Sequence, residues 1–199
     1  GLIASMTTTL VSSLSSTDMA ALTTTQVKAL SSTQFMALTT EQVGGLTSAQ
    51  IISLNTGQSK GLTATQIASM SVSQVGALGT AVVKSLTTTQ VRGLTTTQVA
   101  SLSLSQMAAL TSQQMGALSI SQVVALGSQS VGAISTLQVR GLTATQVGEL
   151  TATQVAALGT LQIKTFSTGQ IRGLTTAQIA GLTTQQMAGL TTAQIASLT

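Results

Sequence analysis

From Met6 onward the chain can be written in rows of eight without one insertion or deletion, and this unbroken octad limits what it can fold into. Row after row reads Leu-Thr-x-x-Gln-Val-x-Ala. A continuous helix is excluded, because eight residues at about 100° each rotate every position by about 80° per repeat and no single face stays apolar. A continuous strand fails as well. The two apolar columns have opposite parity and would point to opposite sides of a pleated ribbon. Each octad must therefore contain a turn.

The columns differ sharply in what they tolerate. Column one, from Met6 to Leu198, is apolar at all 25 positions, and 21 are Leu once Met6, Met70, Ile134 and Phe166 are set aside. Column six, from Ile3 to Ile195, is apolar throughout except at Ser59. These two columns are the expected core, represented by Leu22 and Val27, Leu94 and Val99, and Leu142 and Val147. Column five, from Leu10 to Gln194, is Gln at 20 of 24 positions, the exceptions being Leu10, Asp18, Val82 and Ser130. Column eight is Ala, Gly or Ser apart from Glu149 and Thr165. Column seven varies most and contains all seven basic residues, Lys28, Lys60, Lys84, Arg92, Arg140, Lys164 and Arg172. That column is expected to face solvent.

Column two locates the turn. It is Thr or Ser except at Asn55, Gly79, Gly127 and Gly159, and every one of these is a favoured helix N-cap. Gln stands three positions later, completing a capping box in which the cap hydroxyl accepts from the N3 amide and the Gln side chain returns to the cap amide. Thr23 with Gln26, Thr95 with Gln98 and Thr143 with Gln146 illustrate the pairing. The Leu before the cap and the Val after Gln take the two positions of a hydrophobic staple. Small residues in column eight, Gly among them, suit a reversal that ends each helix. The pattern predicts an all-α solenoid or superhelix of short capped helical turns, one continuous array over residues 1–199. The alternative is a β-solenoid of Thr-rich strands. Against it, column two exchanges Thr for Asn and Gly, which are poor strand residues but good caps.

Composition bears on function through what it lacks. There is no His or Cys, so the common general bases, thiolate nucleophiles and zinc ligands are missing. The carboxylates are Asp18, Glu41 and Glu149, scattered over three columns, which argues against a paired-acid site or a calcium cage. No Gly-Lys-Ser/Thr phosphate loop occurs. The expectation is a protein that is not an enzyme, with no catalytic residue, metal, cofactor or small-molecule substrate. No apolar run reaches membrane-spanning length, and no signal peptide is readable at Gly1–Ser5. With only 5% charged residues the surface is nearly neutral, so the expected partner is the chain itself, in a filament, sheath or stalk. The chain starts in column four and stops in column two with no atypical capping repeat, so it reads as a segment of a longer polypeptide or polymer. An ice-binding array of Thr hydroxyls and methyls is an alternative role.

Two resemblances follow from these residues. Perfect Leu-Thr-x-x-Gln-Val octads resemble the low-complexity tracts of large secreted bacterial repeat proteins, including adhesin-like ones. That resemblance covers the whole chain and implies a bacterial extracellular or cell-surface scaffold; the calcium-binding Gly-Asp nonapeptides of such proteins are absent. The same phrase resembles the opening of TAL-effector repeats, which bind DNA, and the basic column could follow a nucleic-acid backbone. A TAL repeat is several times longer and carries paired base-reading residues, neither present here, and aromatic rings for stacking are nearly absent. Nucleic acid therefore stands as a second alternative, behind self-association.

Overall fold

The computed structural model describes residues 2–198. It is all-α: after a single 3-10 turn at Leu2–Ser5 come 24 short α-helices, one per octad, and no strand occurs among the described residues. Each helix has five or six residues, as in Thr96–Ala100 and Thr136–Gly141. The column-two residue opens each helix from extended backbone, Thr95 having φ −71° and ψ 160°. The column-one residue leaves in the same way: Leu94 follows Thr88–Gly93 with φ −60° and ψ 137° while its N–H still donates to the Val91 carbonyl. Two successive extended residues, Leu94 then Thr95, thus separate Thr88–Gly93 from Thr96–Ala100; after a five-residue helix such as Thr24–Lys28 a further column-eight residue, Ala29, continues in helical backbone.

Glycine does something other than reverse the chain. No described residue has positive φ, glycine included, so the left-handed C-cap expected at column eight does not form. Its Gly residues are in ordinary helical backbone, Gly45 at φ −74° and Gly173 at φ −72°. What they supply is room. A Cβ on Gly45 would lie 2.5 Å from the Ser16 carbonyl oxygen, and one on Gly93 2.7 Å from the Ala64 Cβ. At Gly61, Gly141 and Gly173 a Cβ would collide with the carbonyls of Ser32, Ser112 and Ala144. Each obstacle is a column-three residue of a helix three octads earlier, so column eight is small because another turn of the chain crosses it.

The helices gather into two compact units, Gly1–Ala109 and Leu110–Thr199. Within each, a helix packs on the third one along the chain. Ser32–Ala37 lies against Thr56–Gly61 in the first unit, and Ser112–Ala117 against Thr136–Gly141 in the second. Neighbouring helices in sequence are thereby laid side by side around a coil, with columns one and six inside it except toward the C-terminal end, where the column-six residues Met187 and Ile195 are 40% and 52% exposed. Phe35, Ile67 and Met107 are fully buried in the first unit, Met115, Ile163 and Ile171 in the second. Column six's exception, Ser59, is also fully buried, and its hydroxyl is satisfied by the Thr56 carbonyl at 3.1 Å and the Ser85 hydroxyl at 3.0 Å.

Candidate functional site

The most constrained side chain in the repeat is the column-five Gln. At Gln98 the Oε1 accepts from the Thr95 N–H at 2.8 Å, while the Gln98 N–H donates to the Thr95 hydroxyl at 3.2 Å, closing the capping box. The other end of the same amide points away from its own helix. Its Nε2 donates to the Ile67 carbonyl at 2.9 Å and to the Met70 carbonyl at 2.6 Å, 31 and 28 residues earlier. Gln146 repeats this in the second unit, accepting from Thr143 N–H at 2.7 Å and donating to Met115 at 3.0 Å and Leu118 at 2.7 Å. The acceptors are the carbonyls of columns six and one at the C-terminal end of a helix four octads back. The column-one carbonyl is one of the orphans that a helix end leaves without an internal partner, while the column-six carbonyl also accepts from the column-one N–H, as Ile67 does from Met70 at 3.1 Å. One amide thus satisfies the start of its own helix and the end of another. Since packing joins every third helix and the Gln bond every fourth, one turn of the coil takes between three and four octads.

The other residues singled out from the sequence fall as follows. Val27, Leu94, Val99, Leu142 and Val147 are buried, and Leu22 is half-buried. Thr23 accepts from the Gln26 N–H at 3.2 Å and Gln26 closes the box at 2.7 Å, but Gln26 is exposed. All seven basic residues, Lys28, Lys60, Lys84, Arg92, Arg140, Lys164 and Arg172, are exposed. The Gly caps at Gly79 and Gly127 make no side-chain cap bond, and in both octads column five also departs from Gln, to Val82 and Ser130.

The second role of Gln was missed by reasoning from local spacing, although a signal for it was present. Glu completes a capping box as well as Gln and suits a helix N-terminus better, yet column five never uses it. Only a requirement for N–H donors excludes Glu so consistently. Asp18 is the one acid in the column. Its carboxylate accepts from the Ser15 hydroxyl at 2.7 Å and the Ser15 N–H at 2.9 Å. These bonds, the hydroxyl's first, hold its pKa below the ordinary aspartate value.

Chemically, the arrangement joins backbone to backbone through neutral amides. No group of three metal-ligating side chains comes together among the described residues. A groove of about 530 Å³ in the second unit is lined by Arg140, Leu142, Thr165, Ser167 and Gln170, none of which forms an acid–base pair. No helix among the described residues is long and apolar enough to cross a membrane.

No curated protein matches the chain. The ALTTAQ repeat does, six times, at residues 11–48, 25–56, 72–104, 85–120, 123–160 and 163–199. The matched windows are longer than one turn of the coil. Residues 123–160 contain both Gln154 and the Val123 and Leu126 carbonyls to which its amide donates, at 3.0 and 2.6 Å. Residues 163–199 likewise contain Gln194 with its acceptors Ile163 and Phe166. With an octad that starts a capped helix, a Gln that ties it to the coil below, and a family match over most of its length, this chain belongs to the ALTTAQ repeat family.

Proposed function

We propose that this structural repeat protein is non-enzymatic and assembles with copies of itself into an extracellular filament, sheath or cell-surface stalk of a bacterium. The observation that carries the reading is the character of the exposed surface. Columns two to four present runs of hydroxyl and methyl groups, as at Thr87–Thr89 and Thr95–Thr97, all exposed. Column seven adds large apolar side chains to this surface, Met36 at 58% exposure and Ile52 at 66%. Only 5% of the chain is charged. A surface with so little like-charge repulsion and so little charge to hydrate favours contact with another such surface. The resemblance of the octads to secreted bacterial repeat tracts supports the location. The absence of His and Cys from the whole chain supports a role without catalysis.

Light scattering over a dilution series, with electron microscopy of the concentrated sample, tests the proposal. Particles that are multiples of the 19.9 kDa chain and lengthen with concentration are expected. A single 19.9 kDa species at every concentration would overturn it.

A further inference from the structure

Column four holds Leu at two positions only, Leu137 and Leu161. They are 68% and 67% exposed, more than any other large apolar side chain described. Each stands three residues before a cation on the same short helix, Arg140 on Thr136–Gly141 and Lys164 on Thr160–Lys164. That spacing puts leucine and cation on one face of each helix. The two helices pack against each other in the second unit. The next helix, Thr168–Arg172, is tied to the end of Thr136–Gly141 by Gln170, whose Nε2 donates to Val139 and Leu142 at 2.8 Å each. Arg172 thus stands on a helix bonded to the one that carries Arg140. Glu149, the single carboxylate of this unit, makes no ion pair with these cations.

The geometry points to a docking surface for an anionic lipid bilayer, formed by Leu137, Arg140, Leu161, Lys164 and Arg172. Cations serving only to keep the surface soluble gain by being spread out, because like charges at neighbouring positions repel. Here they sit on adjacent helices. The first unit shows that the leucines are a separate addition. There Lys60 has Lys84 on the helix packed against its own and Arg92 on the helix tied to it by Gln90, while the corresponding column-four residues are Gly57, Ala81 and Thr89. Three cations call for an anionic partner, and two protruding leucines call for hydrocarbon within a side chain's length of that charge. A bilayer with acidic headgroups offers both at every point of its surface. Nucleic acid offers the charge without the hydrocarbon. A specific protein partner would be read by shape and by buried aromatic or polar anchors, but the chain has no Trp or Tyr, and no buried side-chain polar atom lacks a hydrogen bond among the described residues.

The test is flotation of the 199-residue chain with vesicles of phosphatidylcholine, with and without about 30 mol% phosphatidylserine. The chain is expected to float with the acidic vesicles, not with the neutral ones, and to be released by salt. Leu137→Thr with Leu161→Thr, which installs the usual column-four residue at exposed sites, is expected to weaken binding about tenfold or more while circular dichroism stays unchanged. Arg140→Ser, Lys164→Ser and Arg172→Ser should each cost about fivefold. Failure to float with acidic vesicles would overturn the proposal. So would undiminished binding by the double leucine variant, or a shift of duplex DNA at lower protein concentration than vesicle binding requires. The double variant is expected to scatter light as the parent does, so loss of docking and loss of self-association are separable results.

Discussion

Gln98 and Gln26 have the same neighbours in sequence and very different surroundings. Gln98 is buried and its side chain is bonded to four backbone groups, the Thr95 N–H and the Ile67, Ala68 and Met70 carbonyls, while Gln26 is exposed and serves only its own cap. Gln98→Ala removes all of these bonds and strands the Met70 carbonyl, while the Ile67 carbonyl keeps its bond from the Met70 N–H, so we expect a loss of about 2–4 kcal/mol. Gln26→Ala should cost about 1 kcal/mol or less, the worth of a cap. Gln98→Glu keeps the capping oxygen but sets an anion against the Ile67 and Met70 carbonyls, and should cost more than the alanine. Urea denaturation of the three variants checks the order; equal losses at positions 98 and 26 would show that the coil-to-coil bond contributes nothing. Asp18 gives a pH signature. Its lowered pKa means that the Ser15 contacts stabilise the fold above the ordinary aspartate range, and that this contribution fades as pH falls through the lowered value. An NMR titration of its carboxyl should find that lowered midpoint, and Ser15→Ala should move it up. The capping half of these residues was legible from eight-residue spacing. The donating half was not, because its acceptors lie 28 and 31 residues away and spacing within an octad says nothing of them.

Helix starts and helix ends are set by interactions of different range. Starts are local: Thr95, Thr143 and their counterparts cap the amide three residues on, and the pattern of column two was enough to place them. Ends are decided elsewhere. Gly141 sits in ordinary helical backbone because the Ser112 carbonyl lies where its Cβ would be, a contact 29 residues back along the chain. Hence an apparent turn residue is a packing residue. The distinction predicts opposite signs for two glycine substitutions. Gly141→Ala forces the Thr136–Gly141 and Ser112–Ala117 helices apart and should destabilise by about 1–3 kcal/mol. Gly79 has nothing within 4 Å of a built Cβ and already has the φ −64°, ψ 150° of a cap. Gly79→Ser should therefore stabilise by about 0.5 kcal/mol, through a gained cap bond and a stiffer unfolded chain. Thermal melts that moved in the same direction for both variants would refute this division of roles.

Helices of five or six residues are far below the length at which a helix persists alone, whatever its caps. Stability must come from closing the coil, and the closing bonds have a fixed reach. The Gln amide meets its acceptors 28 and 31 residues back, and packing joins every third helix, so no stretch shorter than about four octads contains a complete set of its own contacts. The octad alone does not encode that number; it emerges from the length of the Gln side chain and the closeness that column eight permits, which is why the sequence specified capped helices but not how many complete a turn. A peptide of residues 87–110 carries three full octads with their caps, yet contains no Gln together with its acceptors. It is expected to show the circular dichroism of an unfolded chain. Residues 39–102 hold Gln74, Gln90 and Gln98 with all of their acceptor carbonyls, from Val43 to Met70, and should be helical and melt cooperatively. Helicity in the short peptide equal to that of the long one would mean that caps and propensity suffice, and that the amide ladder follows the fold without holding it together.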